Sequence, residues 1–214
     1  MAKLAGLYVL IDPAACAGRD PVAVANAALS GGASVLQWRD KLRDKGEQLE
    51  PARAVWQLCL RHDALLIVND HADLALAVGG DDAPPAGAIG VHVGQRDLPL
   101  AEVRRIVPAH YVVGVSTNNA AEATQAGAEG ASYIACGDIF GTASKAGTRP
   151  ASIDRLAEVS AAVSLPVFGI GGISAANAAH VMATGASGIA VISAVCAAPD
   201  PEAAARELVR VIEG

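Results

Sequence analysis

Short, continuous apolar runs alternate along the chain with longer segments that have helical periodicity. The runs are rich in Val, Ile and Leu and do not alternate with polar residues, which is typical of strands buried on both faces. They predict eight strands, at Leu7–Ile11, Ser34–Arg39, Leu65–Asn69, Ala88–Val93, Tyr111–Ser116, Tyr133–Gly137, Val167–Gly172 and Gly188–Ser193.

The segments between these runs predict eight helices. They lie at Val22–Ser30, Gly46–Arg61, Ala72–Val78, Leu100–Val107, Ala120–Ala126, Ile153–Val163, Ala175–Thr184 and Pro201–Ile212. Strict strand–helix alternation indicates parallel pairing under a layer of helices. Eight such units predict an α/β fold, a (β/α)8 TIM barrel, as a single domain over residues 1–214.

Composition agrees with this fold and excludes some functions. Hydrophobic residues make up 52% of the 214 residues but aromatic residues only 3%, so the core is built mainly from Ala, Val, Ile and Leu. The net charge of −6 and the lack of a basic cluster argue against nucleic-acid binding. No apolar run is long enough for a membrane span, and the predicted first strand follows Met1 too closely for a signal peptide. We therefore expect a cytoplasmic protein, with its oligomeric state left open and a homo-oligomer among the options.

Polar residues gather where the predicted strands end, the usual place for active sites in this fold. After strand 2, alternation places Gln37, Arg39 and Lys41 on one side. Two cations and an amide at one place favour a multiply charged anion such as a diphosphate. Ion pairs of these cations with Asp40 or Asp44 are the alternative.

Two acidic residues follow the next two strands. Asp70 comes after strand 3, beside Asn69, and Asp97 comes after strand 4. Each precedes a helix and is a candidate N-cap. Because adjacent strands are about 4.8 Å apart, the pair is also a candidate site for Mg2+ shared with substrate phosphates.

Glycines mark a second candidate anion site. The segments Pro166–Ile173 and Gly188–Ala194 each combine an apolar strand with small residues. Backbone N–H groups after strands 7 and 8 commonly bind phosphate in this fold. The glycine-punctuated loop after strand 6 offers hydroxyls and a cation at Thr142, Ser144 and Lys145.

Three further residues have two interpretations each. Ser116, after strand 5, either donates a hydrogen bond to a ligand or caps the next helix. His92, within strand 4, is a buried polar residue with satisfied hydrogen bonds or, less simply, a catalytic base. Cys136, at the end of strand 6, is a buried thiol or a nucleophile.

The strand ends together resemble the thiamine-phosphate synthase family. The shared motifs are Gln37-x-Arg39-x-Lys41, Asn69-Asp70, His92-x-Gly-Gln95-x-Asp97, Gly114-x-Ser116, Thr142-x-Ser144-Lys145, Gly169–Ile173 and Val191–Ala194. Each motif is weak alone, but seven in register over nearly the whole chain are specific.

This resemblance implies a transferase that joins 4-amino-2-methyl-5-hydroxymethylpyrimidine diphosphate to 4-methyl-5-(2-hydroxyethyl)thiazole phosphate or its carboxylated form. Diphosphate leaves first, and the thiazole nitrogen captures the resulting pyrimidine methylene cation. The resemblance assigns Mg2+ to Asp70 and Asp97. It assigns the pyrimidine diphosphate to Gln37, Arg39, Lys41, Asn69, Ser116 and Lys145. It assigns the thiazole phosphate to Thr142, Ala143, Ser144, Gly172, Ile192 and Ser193. The catalytic set it implies is Arg39, Lys41, Ser116 and Lys145.

The sequence departs from the family pattern at three positions. Trp38 replaces a smaller apolar residue, and we expect it to point away from the ligand. Asp138 stands where proline is usual, and Asn118 stands where a histidine often follows the strand 5 motif. The related thiazole tautomerase, an isomerase that uses that histidine, is one alternative. A non-catalytic barrel that binds a phosphorylated metabolite is the other.

Overall fold

Eight parallel strands close into a barrel in the computed structural model, which describes residues 4–79, 88–141 and 150–214. The strands are β1 (Gly6–Ile11), β2 (Val35–Trp38), β3 (Leu65–Asn69), β4 (Ile89–Val93), β5 (Val112–Thr117), β6 (Tyr133–Cys136), β7 (Val167–Ile170) and β8 (Gly188–Val191). Neighbours pair in chain order, and β8 closes the barrel on β1. The predicted fold class is confirmed.

Helices surround the barrel. They are α1 (Pro21–Ser30), α2 (Lys45–Arg61), α3 (Ala72–Gly79), α4 (Leu100–Ile106), α5 (Ala120–Ala128), α6 (Ile153–Ala162), α7 (Ala178–Met182), α8 (Ser193–Cys196) and α9 (Pro201–Glu213). Several begin where a polar side chain accepts a hydrogen bond from the first turn, as Asp20, Asn119, Ser152 and Asp200 do. None of the helices in the described ranges has both the length and the apolar character to cross a membrane.

Two predicted elements differ from the structure near the end of the chain. The predicted strand over Gly188–Ser193 ends early, because Ser193 already begins the short helix α8. The predicted helix over Ala175–Thr184 is shorter, at Ala178–Met182. Its first residues form a polar turn instead, in which the Asn177 side chain accepts from the backbone N–H of Ser174 at 2.9 Å.

The barrel interior is filled by a small cluster that lies apart from the larger core under the helices. Its aromatic members are Tyr8, Tyr133 and Phe168, all almost fully buried, with ring centroids 5.4 to 6.0 Å apart. Most aromatic pairs at such distances pack edge to face, as these do. Together with aliphatic side chains, the three rings form a packed floor across the barrel.

Two strand glycines make room for these rings. A Cβ on Gly114 would lie 2.0 Å from a ring atom of Tyr133, and one on Gly188 would lie 2.7 Å from a ring atom of Phe168. Both distances are shorter than any side chain tolerates. The glycines thus allow two large rings inside a narrow barrel, and the ring of Tyr133 brings its hydroxyl into the interior.

Candidate active site

A cavity of about 620 Å³ opens at the carboxyl ends of the strands, and all eight strands or the segments after them contribute to its wall. The structure brings to this wall every described residue that the sequence assigned to a ligand. These are Gln37, Arg39, Lys41, Asn69, Asp70, Asp97, Ser116, Gly172, Ile192 and Ser193. The remaining assigned residues, Thr142, Ala143, Ser144 and Lys145, lie outside the described residues.

The end of β2 carries the two predicted cations on the cavity side. Gln37, Arg39 and Lys41 line the cavity as predicted, although β2 itself ends at Trp38. Trp38 is 1% exposed and packs in the outer core, with the guanidinium of Arg43 5.5 Å from its ring centre. The large side chain that departs from the family pattern therefore points away from the cavity, as expected.

Arg39 forms a buried ion pair with Asp12, which follows β1. Asp12 also accepts a hydrogen bond from the backbone N–H of Ala14 at 3.0 Å. The alternative in which Arg39 pairs with its sequence neighbour Asp40 is wrong. A carboxylate oxygen of Asp40 instead forms an ion pair with Nε of Arg43, at 2.5 Å. Sequence reasoning missed Asp12; its place at the end of a barrel strand was the signal.

Lys41 contacts the first of the two predicted metal ligands. Its ammonium nitrogen lies 2.5 Å from a carboxylate oxygen of Asp70. Burial disfavours the charged form of Asp70, but the hydrogen bond and charge of Lys41 outweigh it, and the pKa of Asp70 falls below its usual range. Asp70 is therefore ionised at neutral pH. Its backbone φ is +60°, a left-handed conformation that Asp and Asn adopt more readily than other non-glycine residues.

Asp97 lies next to Asp70. Its side chain adds, after that of Lys41, to the lowering of the pKa of Asp70. Asp97 accepts the backbone N–H of Gly94 at 2.8 Å, and Pro99, not Asp97, is the N-cap of α4. The N-cap interpretation of Asp97 is therefore wrong.

The donor set at this point suits Mg2+ bound together with a substrate. Among the described residues there is no group of three or more His, Cys, Asp and Glu side chains that would hold a metal by themselves. The two adjacent carboxylates are hard oxygen donors, and Mg2+ is usually bound by one or two carboxylates plus substrate phosphates and water. Asp70 and Asp97 fit that pattern.

His92 has both ring nitrogens in hydrogen bonds. Nδ1 lies 3.0 Å from the hydroxyl of Tyr133, and Nε2 lies 2.9 Å from the hydroxyl of Ser116. The structure thus favours the satisfied buried histidine over the catalytic base. Ser116 does not cap α5, because Asn119 does so.

The hydrogen bonds that join Ser116, His92 and Tyr133 continue across the barrel to Tyr8 and Gln37. The Gln37 amide nitrogen donates to the Tyr8 hydroxyl at 2.6 Å, and the hydroxyls of Tyr8 and Tyr133 lie 3.0 Å apart. Burial raises the pKa of both phenols above the usual value, so both stay neutral. Sequence reasoning missed the two tyrosines, which read simply as core residues of apolar strands.

The glycines after β7 bring backbone to the cavity wall. Gly171 and Gly172 have φ values of +107° and +64°. A Cβ on Gly171 would lie 2.1 Å from a carboxylate oxygen of Asp138, and one on Gly172 would lie 2.4 Å from the carbonyl oxygen of Gly141. Only glycine fits at these two positions, and Gly172, Ile192 and Ser193 line the same cavity.

Asn118 has a structural role behind the cavity. Its amide nitrogen donates to the carbonyl oxygens of Gly137 at 3.2 Å and Pro150 at 3.1 Å, and its amide oxygen accepts from Arg155 at 2.8 Å. It therefore ties together the residues on either side of 142–149. At Asp138, the other departure, the backbone carbonyl accepts from Ala151 at 2.8 Å.

Cys136 does not act as a nucleophile in this arrangement. The thiol is fully buried and its neighbours Ala135 and Gly137, but not Cys136 itself, line the cavity. Burial raises its pKa to about 11, so the reactive thiolate is scarce at neutral pH.

The thiamine monophosphate synthase family model matches residues 7–195. The chain belongs to that family. It is 43% identical over 204 residues to the thiamine-phosphate synthase of Laribacter hongkongensis, covering 94% of this chain and 92% of that protein. It is 45% identical over 203 residues to the thiamine-phosphate synthase of Methanoculleus marisnigri, with 94% and 92% covered.

Among solved structures, a thiamine phosphate pyrophosphorylase from Pyrococcus furiosus superposes with a TM-score of 0.86. It is 35% identical, and the match covers 98% of this chain and 96% of that one. Membership of the thiamine monophosphate synthase family confirms the expectation of a transferase of thiamine biosynthesis.

Proposed function

We propose that this chain makes thiamine phosphate by a Mg2+-assisted, dissociative substitution in the cavity described above. The substrates are the aminopyrimidine diphosphate and the thiazole phosphate, and the second product is diphosphate. The observation that carries the proposal is the convergence of Arg39, Lys41, Asp70 and Asp97 at one rim, directly above a buried polar pocket.

The cations act on the leaving group. Departure of diphosphate concentrates negative charge on its oxygens, and preorganised donors stabilise that charge as it develops. Arg39 is held in place by Asp12, so its guanidinium is oriented before substrate arrives. Lys41 reaches the same rim. Lys145 is assigned to this group on its sequence motif alone.

The carboxylates provide the place for the metal. Asp70 and Asp97 would hold Mg2+, and the bound ion would neutralise charge on the diphosphate as the bond to carbon breaks. Asn69 adds an amide beside them in the wall. The described cavity contains no activated nucleophile, and a dissociative route requires none, because the thiazole nitrogen itself captures the cation.

Each substrate has its own end of the cavity. The pyrimidine ring occupies the deep end between Gln37 and Ser116, where the wall is polar but buried. The thiazole phosphate occupies the end at Gly172, Ile192 and Ser193, where positive-φ glycines leave the backbone open to a ligand. Thr142, Ala143 and Ser144 are assigned to the same phosphate on their motif.

The two alternative functions are less well supported. A tautomerase of the same fold would need a histidine after β5, and the residue there is Asn118, whose side chain holds Gly137 and Pro150. A non-catalytic barrel would not need two acidic side chains and two cations at one rim.

One assay tests the proposal. The purified chain is incubated with both substrates, with Mg2+ or with a chelator, and thiamine phosphate and diphosphate are measured. We expect both products in equal amounts and only with the metal. Isomerisation of a thiazole without metal would support the tautomerase instead, and binding of both substrates without turnover would support the non-catalytic barrel.

A further inference from the structure

A continuous chain of hydrogen bonds crosses the barrel interior directly beneath the cavity. It joins side chains from five strands in the order Gln37, Tyr8, Tyr133, His92 and Ser116. The four distances are 2.6, 3.0, 3.0 and 2.9 Å. Only the two end members, Gln37 and Ser116, are assigned above to a ligand.

The number of hydrogens in this chain restricts its direction. Each phenol is neutral because burial raises its pKa, so each has one hydrogen to donate. A neutral imidazole also has one N–H. If every inner member donates once and accepts once, all the bonds must run the same way, because one reversed hydroxyl would set two donors or two acceptors against each other.

The amide of Gln37 sets the direction. Its nitrogen donates to the Tyr8 hydroxyl, so Tyr8 donates to Tyr133, and Tyr133 donates to Nδ1 of His92. His92 then carries its hydrogen on Nε2 and donates it to the Ser116 oxygen. The hydroxyl hydrogen of Ser116 is left for the cavity.

The Gln37 end of the hydrogen-bond chain presents an acceptor to the cavity, where the Ser116 end presents a donor. The amide oxygen of Gln37 is buried and has no hydrogen-bond partner among the residues that the structure describes. Gln37 is 2% exposed and forms part of the cavity wall. A buried acceptor without a partner is costly unless a ligand supplies the donor.

We propose that Tyr8 and Tyr133 are positioning residues that hold this single direction, so that the cavity offers an acceptor at Gln37 and a donor at Ser116. The ligand this polarity selects rests on the proposed function: a pyrimidine whose exocyclic amino group donates to Gln37 and whose ring nitrogen accepts from Ser116. An analogue with oxygen in place of the amino group would set acceptor against acceptor. The chain of hydrogen bonds therefore selects amino over oxo pyrimidines.

The first experiment measures the direction without substrate. Nitrogen-15 NMR of the ligand-free protein assigns the tautomer of His92, with His92→Gln identifying its signals. We expect a neutral ring with its hydrogen on Nε2. A hydrogen on Nδ1, on both nitrogens, or divided between the two would overturn the proposal.

The second experiment measures selectivity. The kcat/KM is compared for the aminopyrimidine diphosphate and its 4-oxo analogue in the wild type and in Tyr8→Phe. We expect a preference of about a hundredfold or more in the wild type, as for other sites that read a polar group by buried hydrogen bonds. Tyr8→Phe removes the acceptor for the Gln37 amide nitrogen and lets the amide turn, so the preference falls by about tenfold.

The third tyrosine of the chain is a matched control. Tyr111 is buried in the outer core and its hydroxyl lies 3.4 Å from the carbonyl oxygen of Ala75, away from the cavity. Tyr111→Phe should leave both the selectivity and the His92 tautomer unchanged. If Tyr8→Phe lowers kcat/KM for both pyrimidines equally, its role is structural only and the proposal is wrong.

The outcomes separate this inference from the proposed function. If neither pyrimidine is turned over, the proposed function fails, and the tautomer of His92 with calorimetric binding of the two pyrimidine diphosphates still decides the direction. If turnover is normal and His92 carries its hydrogen on Nδ1, the inference fails alone. If Tyr8→Phe does not fold, Tyr133→Phe and the wild-type tautomer decide instead.

Discussion

The ammonium of Lys41 lies 2.5 Å from a carboxylate oxygen of Asp70, so a predicted diphosphate ligand and a predicted metal ligand neutralise each other in the ligand-free cavity. If Asp70 holds Mg2+ as proposed, the ion competes with Lys41 for that carboxylate. Metal binding would then free the Lys41 ammonium to contact the substrate.

Lys41→Met should strengthen Mg2+ binding to the ligand-free protein while slowing turnover. The loss of a competing half-exposed ion pair corresponds to an affinity gain of about fivefold. Calorimetric titration with Mg2+ and the steady-state kcat measure the two effects. Lys45→Met is the matched control, because Lys45 also lies 2.5 Å from a carboxylate, that of Asp73, outside the cavity. Equal or weaker Mg2+ binding in Lys41→Met would contradict the proposed metal site.

Asp70→Asn and Asp97→Asn should each reduce Mg2+-dependent turnover by about a hundredfold while leaving the fold intact. Asparagine is the better test at position 70 because it tolerates the positive φ of that residue. Asp70→Ala should lower the free energy of unfolding by about a further 1 kcal/mol through backbone strain alone. Urea unfolding and product formation are measured on the same samples, and full activity in both Asn variants would remove the metal assignment.

The lowered pKa of Asp70 predicts a pH-dependent contribution to stability. A carboxyl whose folded pKa lies below its unfolded value stabilises the protein above the unfolded pKa, and this contribution is lost as the pH falls through the folded value. The wild type should therefore exceed Asp70→Asn in free energy of unfolding at pH 7, and the difference should vanish in acid. Urea titrations over the acid range measure it. A difference that stays constant with pH would show that Lys41 does not stabilise the ionised carboxylate.

Asp12→Ala should lower both stability and catalysis. It leaves the buried guanidinium of Arg39 without its partner, which costs about 3 kcal/mol, and it frees Arg39 from its fixed orientation. Asp20→Ala, which removes only the exposed cap of α1, should cost about 1 kcal/mol and leave kcat/KM unchanged. Denaturation and kinetics of the two variants are compared directly. Unchanged kcat/KM in Asp12→Ala would show that Arg39 needs no orientation.

Gly114→Ala should destabilise the barrel and disturb the site above it. The added methyl would lie 2.0 Å from the Tyr133 ring, so ring and strand must shift, at a cost of about 2 kcal/mol. Gly46→Ala, in α2 with no atom within 4 Å of the new methyl, should instead gain about 0.5 kcal/mol. Thermal unfolding measures both. Equal stability of the two variants would mean that Tyr133 is not tightly packed.

The sequence was sufficient to predict on which side of a strand its residues lie. Alternation places Gln37, Arg39 and Lys41 on one side because a strand has a strict two-residue period, and strand ends of a barrel share one rim. The same reasoning brought Asp70 and Asp97 together although 26 residues intervene.

What could not be predicted depends on contacts across the barrel. Asp12 is the partner of Arg39 although they are 27 positions apart in the sequence, and only the pairing of β1 with β2 makes them neighbours. Tyr8 and Tyr133 are 125 residues apart, and their hydroxyls meet because Gly114 leaves space for a ring. Strand periodicity gives the side on which a residue lies, but not which distant side chain meets it there.

The aromatic floor of Tyr8, Tyr133 and Phe168 has a kinetic consequence. Since these rings block the described barrel below the cavity, molecules enter and leave through the same opening. In the proposed arrangement the pyrimidine lies at the bottom of the cavity, where a thiazole phosphate bound after it would cover it. We therefore expect the pyrimidine to bind first, so that the shape of the chamber would impose an order of addition.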